Sequence, residues 1–522
     1  MTPCDPQVKY RSTMRQFPVA LTVLAQFATL PEPSYAHEAA TVAACESISV
    51  QDLRRHIYAL ADDTLEGREA GSRGGQAAGG YLGREFQKQH LAGGAGKGGY
   101  YQSFGSQYRN ILGIIEGSDP KLKAEYVLVG AHYDHVGYGN AQNSFGPTGF
   151  IHNGADDNAS GAAGLLETVE ALAKLDPRPR RSILFALWDG EEKGLLGSKH
   201  WVDHPTVPLG QMKIAFNLDM IGRMRNQRIE VYGGRTARGL RRALSEQNGE
   251  SKLLIDFVWN MREDSDHFSF YSRGIPVLML HTGLHDDYHR PSDDVEKLDL
   301  PGTQRVVRLL FEIVRELADR DELPGFRSAV RGELQAVPAL PPLVGRLGVS
   351  WDSAANGEAS ASDGVRVVAV SRGSAAEKAG ILAGDRIVGF ASESIRSAAD
   401  LRAWVLAAKG PLKLRIERKG VDAPLDIVVE LTGPPIKLGV SWREDEAEPG
   451  TVVLARVVPD TPASRAGLAA NDRIYAVDGT DFRGTDELAR LIAASIGPLE
   501  LRVERQGLVR SVVLVPTSVP GE

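Results

Sequence analysis

The sequence predicts an α/β protein with a mostly parallel central sheet and helices on both of its faces, followed by two small β-rich domains. Three observations carry this. Between about Ser49 and Asp321, short apolar strands alternate with amphipathic helices, the pattern of parallel strands covered by helices on two sides. A proline-rich break, Val337–Leu343, follows. Beyond it, a unit of roughly 90 residues occurs twice, which means two tandem copies of one fold rather than a solenoid.

Tyr126–Gly130, Ser182–Trp188, Lys213–Leu218 and Ile275–Leu280 read as buried strands, being short, apolar and rich in β-branched residues. Ser160–Leu175, Thr236–Gln247 and Pro301–Asp319 carry apolar residues at helical spacing. In the repeats, Arg346-Leu347-Gly348-Val349-Ser350-Trp351 recurs as Lys437-Leu438-Gly439-Val440-Ser441-Trp442. Gly384-Asp385-Arg386-Ile387 recurs as Asn471-Asp472-Arg473-Ile474, and each copy ends in a helix and a strand, such as Leu412–Glu417 or Leu499–Glu504. The boundaries that follow are 37–330 for the α/β domain, 331–343 for the linker, and 344–433 and 434–522 for the repeats.

A chain of 522 residues suggests about three domains, and 42% hydrophobic with 24% charged residues is an ordinary globular composition. The net charge of −7 gives no basic face for nucleic acid. Two cysteines, Cys4 and Cys45, exclude a disulfide-rich scaffold and a cysteine-based zinc site. Any metal must be held by His, Asp and Glu, which suit zinc, manganese or cobalt. Arg11 and Arg15, the apolar run Phe17–Leu30 and the small-residue stretch Ser34-Tyr35-Ala36 follow the order of an export signal over 1–36. The run is short for a membrane span, and no other stretch is apolar enough to cross one. The expected location is periplasmic or secreted.

The strands lead into polar segments: Ala131-His132-Tyr133-Asp134-His135, Asp189-Gly190-Glu191-Glu192, Asn217-Leu218-Asp219-Met220 and His285-Asp286-Asp287-Tyr288-His289. A fifth, Gly154-Ala155-Asp156-Asp157-Asn158-Ala159-Ser160-Gly161, opens the long helix. Open α/β sheets bind ligands beyond the carboxyl ends of their strands, so these segments should converge. Each alone has a plain structural explanation, such as a helix cap at Asp156–Asn158. Together, the carboxylates would repel one another unless cations offset them. Asp157, Glu192 and Asp219, with one hydroxide, balance two divalent ions. One bridging carboxylate, with one imidazole and one carboxylate completing each ion, needs five protein donors. Asp134 is placed to orient His132, and Asp293 to support His289. Glu191 is the candidate general base.

These ordered motifs resemble the secreted bacterial di-zinc aminopeptidases, a family that includes glutamate carboxypeptidase and the glutaminyl cyclases. The resemblance implies that Asp157 bridges two zinc ions, with His132 and Asp219 completing one and Glu192 and His289 the other. Manganese or cobalt are alternatives. Ser265-Asp266-His267, ahead of Gly274-Ile275-Pro276, resembles a family segment near the substrate pocket, which makes Asp266 a supporting residue. The repeats resemble PDZ domains of bacterial periplasmic proteases, with Leu347-Gly348-Val349 and Leu438-Gly439-Val440 as loops for C-terminal peptides. The alternative is that the repeats brace the catalytic domain or associate with one another. The expected activity is removal of N-terminal residues from peptides or proteins. A carboxypeptidase, a cyclase and a non-catalytic scaffold are the other readings.

Overall fold

The computed structural model describes residues 33–335, 345–351, 364–433, 435–495 and 497–520. The leader expected over 1–36 falls outside the described residues except for its last four, which open helix α1 (Pro33–Glu46). Most of the expected linker also lies outside them.

The α/β domain is built on nine strands: β1 (Ala92–Gly93), β2 (Tyr101–Phe104), β3 (Tyr108–Ile115), β4 (Tyr126–His132), β5 (Ser182–Trp188), β6 (Met212–Leu218), β7 (Arg228–Tyr232), β8 (Leu254–Val258) and β9 (Val277–His281). Their order is β1-β3-β5-β4-β6-β9-β7-β8, with β2 on β3. The central four, β5-β4-β6-β9, are parallel. The expected parallel sheet is therefore the middle of a mixed one, because β3 and β7 pair antiparallel at the two sides.

The central strands are buried on both faces, and alternate residues enter different cores. Val127 and Val129 of β4, with Ile183 and Phe185 of β5, share a core with helices α2 (Val50–Leu60), α3 (Arg73–Lys88), α4 (Gly161–Ala173), α6 (Leu240–Gln247) and α8 (Leu300–Asp319). Leu128, Leu184, Ala186 and Trp188 enter the opposite core with Trp201 of α5 (Leu196–Asp203) and Phe270 of α7 (His267–Ser272). This is the two-residue strand period expressed as two hydrophobic layers. The long helix α8 starts with Asp299 accepting the Gly302 N–H at 3.1 Å and a proline in its first turn, both favourable start signals.

Each repeat is a five-strand path with one short extra strand. The first runs β10 (Val349–Trp351), β11 (Val365–Val370), β12 (Arg386–Phe390), β14 (Pro411–Glu417), β15 (Leu425–Glu430), with β13 (Glu393–Ser394) on β12. The second repeats this order as β16 (Val440–Glu444), β17 (Val452–Val457), β18 (Arg473–Val477), β20 (Leu499–Arg505), β21 (Leu508–Leu514), with β19 (Thr480–Asp481) on β18. Each has its own hydrophobic core.

The second repeat is docked on the α/β domain. Arg235 pairs with Asp445 at 2.7 Å and Arg241 with Glu504 at 2.9 Å. The backbone continues the contact, with Ile255 N–H donating to the Gln506 carbonyl at 2.8 Å and Gly239 N–H to that of Ala447 at 2.8 Å.

Candidate metal centre

His132 ends β4, Glu191 and Glu192 follow β5, and Asp219 follows β6. His289 lies in the loop after β9, and Asp157 in the tight turn that opens α4. Five segments between residues 132 and 289 meet at the carboxyl ends of the parallel strands because β4, β5, β6 and β9 end at the same edge, where the turn into α4 also lies.

Asp157 stands at the middle. Its Oδ1 lies 3.4 Å from His132 Nε2, which in turn lies 3.4 Å from Asp219 Oδ1. Its Oδ2 lies 3.1 Å from His289 Nε2, which is also 3.1 Å from Glu192 Oε2. Yet Asp157 Oδ2 and His289 Nε2 are buried without a well-directed hydrogen-bond partner. Buried polar atoms that face a common point without bonding one another need another partner, and carboxylate and imidazole donors fit zinc. The five sequence-predicted donor residues thus fit a divalent cation on both sides of Asp157.

Charge at the cluster is unbalanced without cations. Burial alone would lower the His289 pKa, but Asp157 and Glu192 outweigh it and raise it to about 10. His132 is likewise raised, against burial, by Glu191, Asp219 and Asp157. Burial pushes Glu191 upward, His132 opposes this, and the nearby carboxylates Glu192, Asp266 and Asp219 add to it. Protons would stand in for divalent charge here, and binding cations would displace them.

Glu191 lines a cavity of about 330 Å³ together with His132, Asp157, Glu192, Asp219 and His289. Its backbone N–H donates to Asp134 Oδ1 at 3.1 Å. The expectation that the Asp134 carboxylate orients His132 needs correction: His132 Nδ1 is 3.2 Å from the Asp134 carbonyl and 3.8 Å from its carboxylate. The chain turns back so that the main chain holds the imidazole and the side chain holds the loop of Glu191. Asp293 also differs from expectation. It accepts the backbone N–H of Asp156 and of Asp157, at 3.0 and 3.1 Å, and so supports Asp157 rather than His289. Asp266 is fully buried at the start of α7, and burial pushes it up to about 7.

Asp156 points away from the cluster: its Oδ1 accepts the Gly222 N–H at 2.6 Å, and its Oδ2 lies 3.1 Å from His285 Nε2. Asn158 ties the same turn to the end of β6, donating to the Leu218 carbonyl at 2.9 Å and accepting the Met220 N–H at 3.2 Å.

Two residues near the cluster were not foreseen. Arg68, fully buried, donates to four carbonyls: Tyr133 and Gly154 at 2.9 Å, and Leu60 and Asn153 at 2.6 Å. It holds the His132 and Asp157 loops together, and burial lowers its own pKa to about 10. No spacing signal could have found it, since its partners are main-chain atoms. The other is His135, whose Nδ1 is 2.8 Å from Glu192 Oε1. It was visible as a second imidazole in the segment His132–His135.

The residues of the repeat loops lie apart from this cluster. Leu347 and Leu438 are buried in their own cores. Gly348 and Gly439 both adopt φ +78, and an added Cβ would collide with Ser374 or Thr461, so glycine is required there. Val349 and Val440 begin β10 and β16, each an edge strand of its sheet.

Residues 110–314 match Peptidase family M28, and 366–418 and 453–505 each match the PDZ domain. The chain is 30% identical over 226 residues to the aminopeptidase YwaD of Bacillus subtilis, covering 41% of this chain and 46% of that protein. It is 28% identical over 225 residues to a probable glutamate carboxypeptidase, VP8, of Zea mays, covering 39% and 28%. Over 89 residues it is 40% identical to the regulator of sigma-E protease RseP of Escherichia coli, covering 17% and 19%. The chain spans about half or less of the length of these curated relatives. Among solved structures, the LapA aminopeptidase of Legionella pneumophila aligns at 22% identity with a TM-score of 0.45, over 55% of this chain and 76% of that one. The chain carries a domain of peptidase family M28 followed by two PDZ domains.

Proposed function

We propose that this chain is a zinc-dependent exopeptidase that removes N-terminal residues from peptides or proteins. The observation that carries the reading is the pair of donor groups sharing Asp157, with Glu191 lining the same cavity. Two bound divalent ions would supply a water of lowered pKa and polarise the scissile carbonyl. Asp157 would serve both ions, His132 and Asp219 one of them, and Glu192 and His289 the other.

The chain's own residues do the rest. Glu191 takes the proton of the attacking water and returns it to the departing amine. The Asp134 carboxylate fixes the backbone of Glu191 and so aims it. Tyr288 and Met279 form an apolar part of the cavity wall, while Glu230 and Asp264 add negative charge to it. Against these carboxylates the wall carries one guanidinium, Arg262. That balance favours a free ammonium over a free carboxylate and so supports N-terminal over C-terminal trimming. A cyclase acting on the same fold would need one functional ion rather than two.

The apolar run Phe17–Leu30 supports export to the periplasm or medium. No helix among the described residues is long and apolar enough to cross a membrane. The edge strands β10 and β16 behind their glycine turns support binding of C-terminal peptides by strand addition.

The test is hydrolysis of aminoacyl nitroanilides by purified protein, beside N-acetylated analogues and peptides blocked at the C-terminus. Release from free-amine substrates alone, abolished by chelation and restored by zinc, is expected. Release from the C-terminus, or activity unaffected by chelation, would overturn the reading.

A further inference from the structure

The two donor groups that meet at Asp157 are unequal. One contains His132, Asp157 and Asp219; the other contains His135, Asp157, Glu192 and His289. His135 is not one of the five positions that the family resemblance assigns. Its Nδ1 lies 2.8 Å from Glu192 Oε1 and 3.6 Å from Asp157 Oδ2. His289 Nε2 lies 3.1 Å from that same Asp157 oxygen and 3.1 Å from the other oxygen of Glu192. The two imidazoles therefore address one pair of carboxylates from two sides, their rings edge to face at 82° with centroids 5.5 Å apart.

Donor atoms around a single tetrahedral zinc, with bonds near 2.0–2.2 Å, stand about 3.3–3.6 Å from one another. Around His135 and His289, the 3.6 Å separation falls in that range and the two of 3.1 Å lie just below it, while the 2.8 Å from His135 to Glu192 is a hydrogen-bonding distance that a bound ion would lengthen. The ring of His135 is also held in place. It is buried, and its backbone N–H donates to the Arg68 carbonyl at 3.2 Å. Its Cγ and Cδ2 pack so closely on Gly154 that a Cβ there would overlap them. A glycine at 154 is what lets this imidazole reach Glu192.

We propose that His135 is a sixth protein ligand, which makes the Glu192/His289 side a closed four-donor site and leaves the open position on the His132/Asp219 side. This rests on the two-ion reading above. Zinc sites with four protein donors are structural, whereas those with three keep a place for water or substrate. The closed site then binds its ion more tightly and loads first, and the open site holds the exchangeable ion. The competing role for His135 is an Nδ1–H that donates to Glu192 and orients it without touching metal.

The experiment is zinc titration of the metal-depleted full chain against a chromophoric chelator, for the wild type, His135→Ala and His135→Gln. Glutamine can still donate a hydrogen bond to Glu192 but replaces the imidazole. Two unequal binding steps are expected for the wild type. Both variants should weaken the tighter step by on the order of 100-fold or more, beyond the 10–100-fold typical of a residue that only orients a ligand, and leave the weaker step in place. Wild-type binding by His135→Gln, or by both variants, would overturn the assignment. Thermal unfolding of the metal-free variants checks that the fold is kept. Zinc X-ray absorption of the two-ion wild type gives an answer without any variant: three imidazoles shared by two ions are expected, and two would overturn it. A wild type that takes up no zinc would overturn the two-ion reading itself, and the ligand assignment with it.

Discussion

Asp293 accepts the backbone N–H of Asp157 at 3.1 Å, so the residue central to the metal cluster is held by a carboxylate from the loop that also carries His289. The same oxygen accepts the N–H of Asp156 at 3.0 Å. Asp293→Ala leaves both donors buried and frees the turn that aims Asp157. Zinc affinity should fall about 10–100-fold, measured by chelator competition, while Asp293→Asn, which keeps an acceptor oxygen, should lose less. Equal affinity in the two variants would remove the positioning role.

Arg68 spreads its guanidinium over four buried carbonyls. Arg68→Met keeps the length of the side chain but leaves the Leu60, Tyr133 and Asn153 carbonyls without that donor, at about 1–3 kcal/mol each when a buried group goes unsatisfied, while the Gly154 carbonyl keeps the Ala159 N–H at 3.2 Å. A loss of at least about 3 kcal/mol is expected in urea unfolding of the metal-free protein. A loss under about 1 kcal/mol would show that water or backbone motion replaces the guanidinium.

The second PDZ domain is joined to the peptidase domain by charges withdrawn from solvent. Arg241 lies over the Phe257 ring at 4.0 Å and pairs with the buried Glu504 at 2.9 Å. Arg241→Ala removes the nearest cation from that carboxylate and leaves it Arg473 at 3.9 Å and the Gly507 N–H at 2.6 Å, so the cost should fall below the roughly 3–5 kcal/mol of a buried charge left wholly unpaired. The expected result is faster protease cleavage between the domains and a larger radius of gyration in solution scattering. An unchanged radius would show that the backbone bridges at Gln506 and Ala447 suffice.

The same interface should respond to acid and base in opposite ways at two residues. Burial would raise Glu333, but hydrogen bonds from Arg235 and Arg327 outweigh it and hold it at about 2. Its folded value is below the ordinary 4.5, so its stabilising effect is complete above 4.5 and is lost as pH falls toward 2. Burial raises Glu448 from 4.5 to about 7, against hydrogen bonds from the Arg241 and Arg242 backbone. Its contribution is complete below 4.5 and is lost as pH rises through 7. Glu333→Gln should therefore lower the melting temperature above 4.5 and converge with the wild type near 2. Glu448→Gln should gain on the wild type as pH rises from 4.5 to about 7 and keep that gain above it. Differences flat with pH would contradict both.

Much of this arrangement is legible in the chain before folding. The central strands announce themselves because burial on both faces demands uninterrupted apolar runs, as in Ser182–Trp188, where every residue is buried. Strands β7 and β8 escape such a reading. Arg228–Tyr232 and Leu254–Val258 alternate buried with half-buried residues over only five positions, too short for a two-residue period to stand out. At the cluster, polar segments after the strands and at the start of α4, read with the family's motif order, bring out His132, Asp157, Glu192, Asp219 and His289. Adjacency misleads at Asp134, where the carbonyl rather than the carboxylate meets the imidazole. Arg68 is invisible because what it recognises is main chain brought together only by the fold.

The most direct test of the central claim is aminopeptidase turnover by Glu191→Gln at a zinc content matched to the wild type. Glutamine keeps the shape of the side chain but cannot take a proton. The account predicts two bound zinc ions in both proteins and a loss in kcat of at least about 10²–10⁴-fold, the contribution of a general base. Turnover within a few-fold of the wild type at equal zinc would contradict it.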